Sequence, residues 1–221
     1  MTPRVVAIDG PAGSGKSTLA RRLATLLGLP YVNTGAMYRA LTRRALSSGV
    51  DLDDGPGLAD LMGTLEFTLS QTDPPELWID GGAPSEELDA VDVESHVSTV
   101  AEHPEVREAM RHAQRPLGER GAVMEGRDIG TVVFPDAPVK LFLSADAQER
   151  AGRRMAERAR EAEAGALHER DRRDARVNPL VPSSDAVVID TGRLGIEATV
   201  FAALDAIRAH APALLPTGLL P

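Results

Sequence analysis

The stretch Gly10-Pro11-Ala12-Gly13-Ser14-Gly15-Lys16-Ser17, set directly after the apolar run Val5-Val6-Ala7-Ile8, constrains this chain more than any other feature. It fits the pattern G-x-x-x-x-G-K-[ST] in full, with a strand-like run before it and a helical pattern after it. Glycines let the backbone bend tightly, so successive N–H groups can face one concavity and hold phosphate oxygens. The helix opening near Lys16 adds its positive end. Lys16 would reach the β- and γ-phosphates, and the Ser17 hydroxyl would sit on Mg²⁺. The plain alternative is a glycine-rich turn between strand and helix. Lysine usage speaks against it: Lys16 and Lys140 are the chain's two lysines among 24 basic residues. Residues Gly10 to Thr18 therefore read as a nucleoside triphosphate site.

After this loop, residues 16–27 read as an amphipathic helix, with Leu19, Leu23, Leu26 and Leu27 at helical spacing and Gly28 as the stop. Residues 29–33 read as a second strand, Thr34-Gly35 as a turn, and 36–46 as another helix. This alternation opens a parallel α/β sheet with right-handed crossovers. The pattern then changes. Residues 65–69 and 77–80 read as short strands around Gln71-Thr72-Asp73-Pro74-Pro75, a small antiparallel insertion over 64–97. A helix follows at 104–120, with proline in its first turn. Residues 122–125, 139–143 and 186–190 read as further core strands, 145–163 as a charged helix and 196–209 as a final helix. The proline-interrupted tail, 211–221, is expected to fray. One domain over 1–210 is expected to hold the 64–97 insertion and a lid region over 146–178.

Composition narrows the function classes. A net charge of -9 and 3% aromatic content argue against a polynucleotide partner, which calls for a basic stripe with stacking rings. No apolar run approaches the roughly 20 residues of a membrane span. Met1-Thr2-Pro3-Arg4 leads straight into the first strand, so no signal peptide is expected and a soluble cytoplasmic protein is the simplest reading. The absence of cysteine removes disulfides and thiolate metal sites.

A phosphate loop alone leaves ATPase, GTPase and kinase open, and three further clusters bear on the choice. Thr34-Gly35-Ala36-Met37-Tyr38-Arg39 lies just beyond the second strand, where ligands sit in sheets of this type, and Arg39 could face the same crevice as Lys16. Glu125-Gly126-Arg127-Asp128-Ile129-Gly130 ends another strand. Arg127 offers a planar fork for phosphate, and Asp128 an acceptor for an exocyclic amine such as cytosine N4. Glu169-Arg170-Asp171-Arg172-Arg173-Asp174-Ala175-Arg176 alternates charge as a lid over phosphates would, though a solvated helix end has the same look. No general base stands out near a hydroxyl acceptor. An acceptor that is itself a phosphate needs none; it needs its charge neutralised and its oxygen held in line. The residues thus read as machinery for phosphoryl transfer to a nucleoside monophosphate.

At this point the chain closely resembles the bacterial cytidylate kinases. The resemblance rests on residues 8–17, 33–39, 97–101 and 104–107, on the long run from Gly126 to Ala137, and on the Arg-Asp-rich lid segment. It implies the P-loop nucleoside monophosphate kinase fold: a five-stranded parallel sheet flanked by helices, a small antiparallel monophosphate-binding insertion and a lid. It implies transfer of the ATP γ-phosphoryl group to CMP or dCMP with Mg²⁺, and a monomer is expected. Phosphate-holding roles would fall on Arg39, Arg127 and Arg176, and base recognition on Ser98, Arg107 and Asp128. Arg170 and Asp174 would contact ribose, and Thr34 and Tyr38 would line the acceptor site. Two departures stand out. The lid is short, with Asp174 and Arg176 set one residue closer than the family spacing, which leaves the roles of Arg170, Arg173, Asp174 and Arg176 interchangeable. Asp89 also stands where the family often has arginine.

Two rival readings remain. A kinase of another small acceptor, UMP or a shikimate-like hydroxyl compound, would share the loop and lid; the hydroxyl case needs a carboxylate base and leaves the insertion without a task. A nucleotide switch predicts an Asn-Lys-x-Asp motif, which a chain with lysine only at positions 16 and 140 does not contain.

Overall fold

The computed structural model describes residues 4–146 and 181–217. Its centre is strand β1 (Val5–Asp9), buried at all five positions. Such a run, apolar on both faces, suits the middle of a parallel sheet covered by helices on each side. β1 lies between β5 (Ala122–Gly126) and β6 (Val139–Ser144); β2 (Tyr31–Asn33) and β7 (Val187–Asp190) form the edges, in the order β2-β5-β1-β6-β7. Every pairing is parallel. The expected five-stranded sheet is present.

Alternation along the strands builds two cores. Val5, Ala7 and Met124 face one side and pack with Met37 and Leu41 of α2 (Thr34–Ser48), Leu58 of α3 (Gly55–Met62), Val100 of α4 (Val91–Glu102) and Met110 of α5 (Pro104–Gly118). Val6, Ile8 and Val123 face the other, against Leu19 and Leu23 of α1 (Lys16–Leu27) and Val200 and Ile207 of α6 (Ile196–His210). Among the described residues no helix is long and apolar enough to cross a membrane.

Three expectations are corrected. Thr34 and Gly35 are the first turn of α2 and not a separate turn, because the Asn33 side chain accepts from Ala36 N at 3.1 Å and caps the helix there. The insertion does hold an antiparallel pair, β3 (Phe67–Leu69) with β4 (Leu77–Ile79), but it continues into a short 3₁₀ turn (Glu86–Asp89) and then α4; α3 precedes it. Both helices bury apolar residues at helical spacing, Leu58 and Met62 in α3, and Val93, Val97 and Val100 in α4. The tail does not fray over 211–217: Leu214 and Leu215 are 5% and 6% exposed and belong to the α1–α6 core. The charged helix at 145–163 and the lid residues Arg170, Arg173, Asp174 and Arg176 lie outside the described residues.

Candidate active site

A cleft of about 600 Å³ opens beyond the carboxyl ends of β1, β2 and β5. The phosphate loop forms one wall. Gly10 has φ +149°, and a Cβ there would collide with the Leu143 carbonyl oxygen, so only glycine permits the turn off β1. Gly15, at φ +88°, precedes α1 in the left-handed region. Lys16 donates from Nζ to Pro11 O at 2.7 Å, which keeps its ammonium beside the loop. Gly13, Gly15, Lys16, Ser17 and Thr18 line the cleft; Gly10, Pro11 and Ser14 form the turn behind it. Ser17 donates from Oγ to Glu125 Oε2 at 3.0 Å.

The facing wall comes from α2, α4, α5 and the residues after β5. Thr34 donates to Glu125 O at 2.7 Å, which ties the start of α2 to the end of β5. Tyr38 and Arg39 follow on the same helix and line the cleft. Arg39 Nε lies 3.5 Å from Asp89 Oδ1 and 3.8 Å from Glu94 Oε1, so its charge is shared with two carboxylates of the insertion and α4. Asp89 therefore stands beside Arg39 as an anionic partner. Arg107 donates from Nη2 to Asp128 Oδ2 at 2.6 Å. Burial pushes the Asp128 carboxyl above its ordinary range, and Arg107, Arg111 and Arg127 pull it back. Arg127 donates from Nη1 to Gly10 O at 2.8 Å and so joins this wall to the phosphate loop. Ser98 is buried at the cleft floor on α4.

Lys16, Ser17, Thr34, Tyr38, Arg39, Ser98, Arg107, Arg127 and Asp128, drawn from distant stretches, thus share one cleft. Sequence reasoning missed two buried carboxylates and a phenol. Glu125 accepts from Tyr31 OH at 2.5 Å as well as from Ser17. Burial and the Glu125 charge push the Tyr31 hydroxyl well above its ordinary range, which keeps it a donor. Asp9 accepts from Ile129 N and Gly130 N, both at 2.8 Å. Asp9 closes β1 and Glu125 stands one residue before the end of β5, each an acid at the carboxyl end of an apolar strand, and that position was the available signal.

Residues 6–209 match the family model described as cytidylate kinase. Among curated proteins, the chain is 43% identical over 206 residues to the cytidylate kinase of Limosilactobacillus fermentum, covering 88% of this chain and 91% of that one. It is 44% identical over 206 residues to the cytidylate kinase of Exiguobacterium sibiricum, covering 88% and 92%. It is also 45% identical over 204 residues to a bifunctional pantoate ligase/cytidylate kinase of a Synechococcus species; there it covers 86% of this chain and spans 38% of the longer relative.

Proposed function

We infer the chemistry of this cleft from one premise: the chain belongs to the cytidylate kinase family. It transfers the γ-phosphoryl group of ATP to CMP or dCMP, giving ADP and CDP or dCDP. An oxygen of the acceptor phosphate forms the new bond to γ-phosphorus as the bond to the β-bridging oxygen breaks. No proton has to be abstracted from the acceptor, because its phosphate is already ionised at neutral pH. What the protein must supply is alignment and positive charge.

The observation that carries this reading is the hydrogen bond from Arg127 to Gly10 O, which puts an acceptor-side arginine at the root of the phosphate loop. Gly10 to Thr18 hold the ATP phosphates, with Lys16 along the β- and γ-oxygens. Arg39 and Arg127 take the acceptor phosphate, and Ser98, Arg107 and Asp128 read cytosine. Thr34 and Tyr38 line the acceptor pocket. Arg176 completes the phosphate clamp, with Arg170 and Asp174 on ribose, from the lid region over 146–178. The core over 1–210 acts as one domain, as a monomer, in the cytoplasm where ATP is made and used.

The donor set fits Mg²⁺. Ser17 Oγ and Glu125 Oε2 lie 3.0 Å apart, a hydroxyl beside a carboxylate, both hard oxygen donors. Mg²⁺ keeps several waters and takes only one or two protein oxygens besides the phosphates, so no larger acidic cluster is required. Ser17 would hold it with Glu125 alongside. When bound, the ion neutralises charge developing on the β- and γ-oxygens.

The test is ADP release with ATP and Mg²⁺, offering CMP, dCMP, UMP, AMP and shikimate separately. Release that depends on CMP and dCMP, with UMP weaker, is expected. Release without any acceptor, or with none of the five, overturns the reading.

A further inference from the structure

We propose that Asp9 is the positioning residue that fixes the acceptor-binding segment against the ATP-binding loop, on the reading of the cleft given above. Asp9 is the last residue of β1, and Gly10 opens the phosphate loop. Its carboxylate is 7% exposed and touches neither candidate substrate surface in the cleft lining. Instead it reaches sideways past the end of β5. Oδ1 accepts from Ile129 N and Oδ2 from Gly130 N, each at 2.8 Å.

Those two N–H groups open the π turn that runs from Ile129 to Val133. The opening N–H groups of a helical turn have no partner inside it. Asp9 caps them from another strand, with an ionised acceptor whose hydrogen bonds are the strong kind. The residues immediately before the turn are Arg127 and Asp128, which carry the proposed phosphate and base contacts. Arg127 makes the third link, from Nη1 to Gly10 O at 2.8 Å. Three hydrogen bonds therefore connect residues 127–130 to residues 9 and 10.

Holding the carboxylate ionised costs the fold stability. Burial raises its pKa to about 6, the Gly130 and Ile129 N–H groups and Lys16 lower it, and the Asp128 charge raises it again. A buried acid that resists ionisation is a poor choice of filler at this point. Its use is geometric: in-line transfer needs the acceptor oxygen held within about 3.5 Å of γ-phosphorus, and small misplacements are costly.

The experiment compares wild type, Asp9→Asn, Gly130→Ala, Asp128→Ala and the Asp9→Asn/Asp128→Ala double variant as full chains in the ADP-release assay. Asn keeps the shape but offers one N–H acceptor in place of two. In Gly130→Ala the new Cβ would stand 3.1 Å from Lys140 Cγ, close enough that one of the two must shift, and in ordinary contact at 3.4 Å with Asp9 Oδ2, so it perturbs the clamp more gently with the carboxylate intact. Asp9→Asn should lose about 10- to 100-fold in kcat/KM for CMP, the scale of a lost charge-assisted hydrogen bond, and Gly130→Ala a smaller part of that, while KM for ATP moves less than about threefold in each. The double variant should lose less than the product of the Asp9→Asn and Asp128→Ala losses, because part of the Asp9 effect passes through Asp128 and the rest through Arg127.

Equal losses toward ATP and CMP would assign Asp9 to the phosphate loop and overturn the proposal, as would additive losses in the double variant. If Asp9→Asn does not fold, Gly130→Ala decides, and full CMP efficiency there overturns it. Wild type without CMP-dependent release would sink the functional reading itself; wild type with it and undiminished variants would sink only the role of Asp9.

Discussion

Asp128→Asn tests base recognition at the proposed acceptor itself. In the structure one carboxylate oxygen of Asp128 is held by Arg107 at 2.6 Å, and burial raises the group while three arginines pull it back down. Asparagine preserves the outline but has a single acceptor oxygen and a new donor. Arg107 has donors alone, so it claims the amide oxygen and leaves the NH₂ for the cleft. Cytosine offers an N4 amine at that edge, and two donors would then face each other; uracil offers O4, an acceptor. Losing a hydrogen bond to a charged group costs about 1.5–3 kcal/mol, and kcat/KM for CMP should fall roughly 10- to 150-fold. UMP should hold its efficiency or gain, so the CMP-to-UMP ratio falls by at least the same factor, with KM for ATP unchanged. The assay is ADP release at varied CMP and UMP with saturating ATP, on wild type and variant. Parallel losses for both bases, or a KM for ATP that rises in step, would refute the reasoning and make Asp128 a structural partner of Arg107.

Three further outcomes are expected. Asp89→Asn removes one of the two carboxylates beside Arg39 and should lower KM for CMP by about two- to fivefold at low salt, an effect that fades as salt is added; a higher KM would mean that Asp89 orients Arg39. Because Asp9 has a folded-state pKa raised from 3.8 to about 6, its contribution to stability is greatest below pH 4 and is lost as pH rises through 6, a fall on the order of 3 kcal/mol; urea midpoints across that window should show this fall in wild type and not in Asp9→Asn, and identical profiles would contradict it. Tyr31→Phe strips the buried Glu125 Oε1 of its 2.5 Å donor and should cost about 1–3 kcal/mol in urea unfolding; no loss would show that the phenol contributes nothing net.

What was legible in the sequence follows from how locally each feature is encoded. The phosphate loop is contiguous, and its glycines, Lys16 and Ser17 could be read without knowing any neighbour. Arg39 and Asp128 were legible as chemical types beyond strand ends, Arg107 only through the family resemblance, and the cleft brings them together. Asp9 and Glu125 were not, because their roles exist only through strand register: Ile8 faces Glu125, and Asp9 faces Gly126, across more than a hundred residues of chain. The helix α4 escaped notice for a different reason. Its Val93, Val97 and Val100 repeat at helical spacing, but a run of short strands and turns just before it drew the whole 64–97 stretch into an antiparallel reading. The tail misled in the opposite direction: prolines at 212 and 216 suggested fraying, while the adjacent Leu214 and Leu215 had a core to fill. Apolar burial outweighed the local breakers there.

The register also explains why donor and acceptor sites can be built from segments so far apart in sequence. β1 ends at Asp9 and delivers the ATP-binding loop; β5 ends at Gly126 and delivers Arg127 and Asp128; these two end residues are direct partners in the ladder. Neighbouring strands are held about 4.8 Å apart by backbone hydrogen bonds, so the two segments start from a separation that no side chain has to enforce. The Asp9 and Arg127 bonds then carry that fixed spacing out past the end of the sheet, where the ladder no longer reaches. The walls supplied by the insertion stand outside this frame. Asp89 meets Arg39 from a short 3₁₀ turn, half exposed, and can change its charge without disturbing the register on which alignment depends. If the proposed roles hold, alignment of the two phosphates is a property of the β1–β5 pair, and affinity for the acceptor is adjusted from the rim.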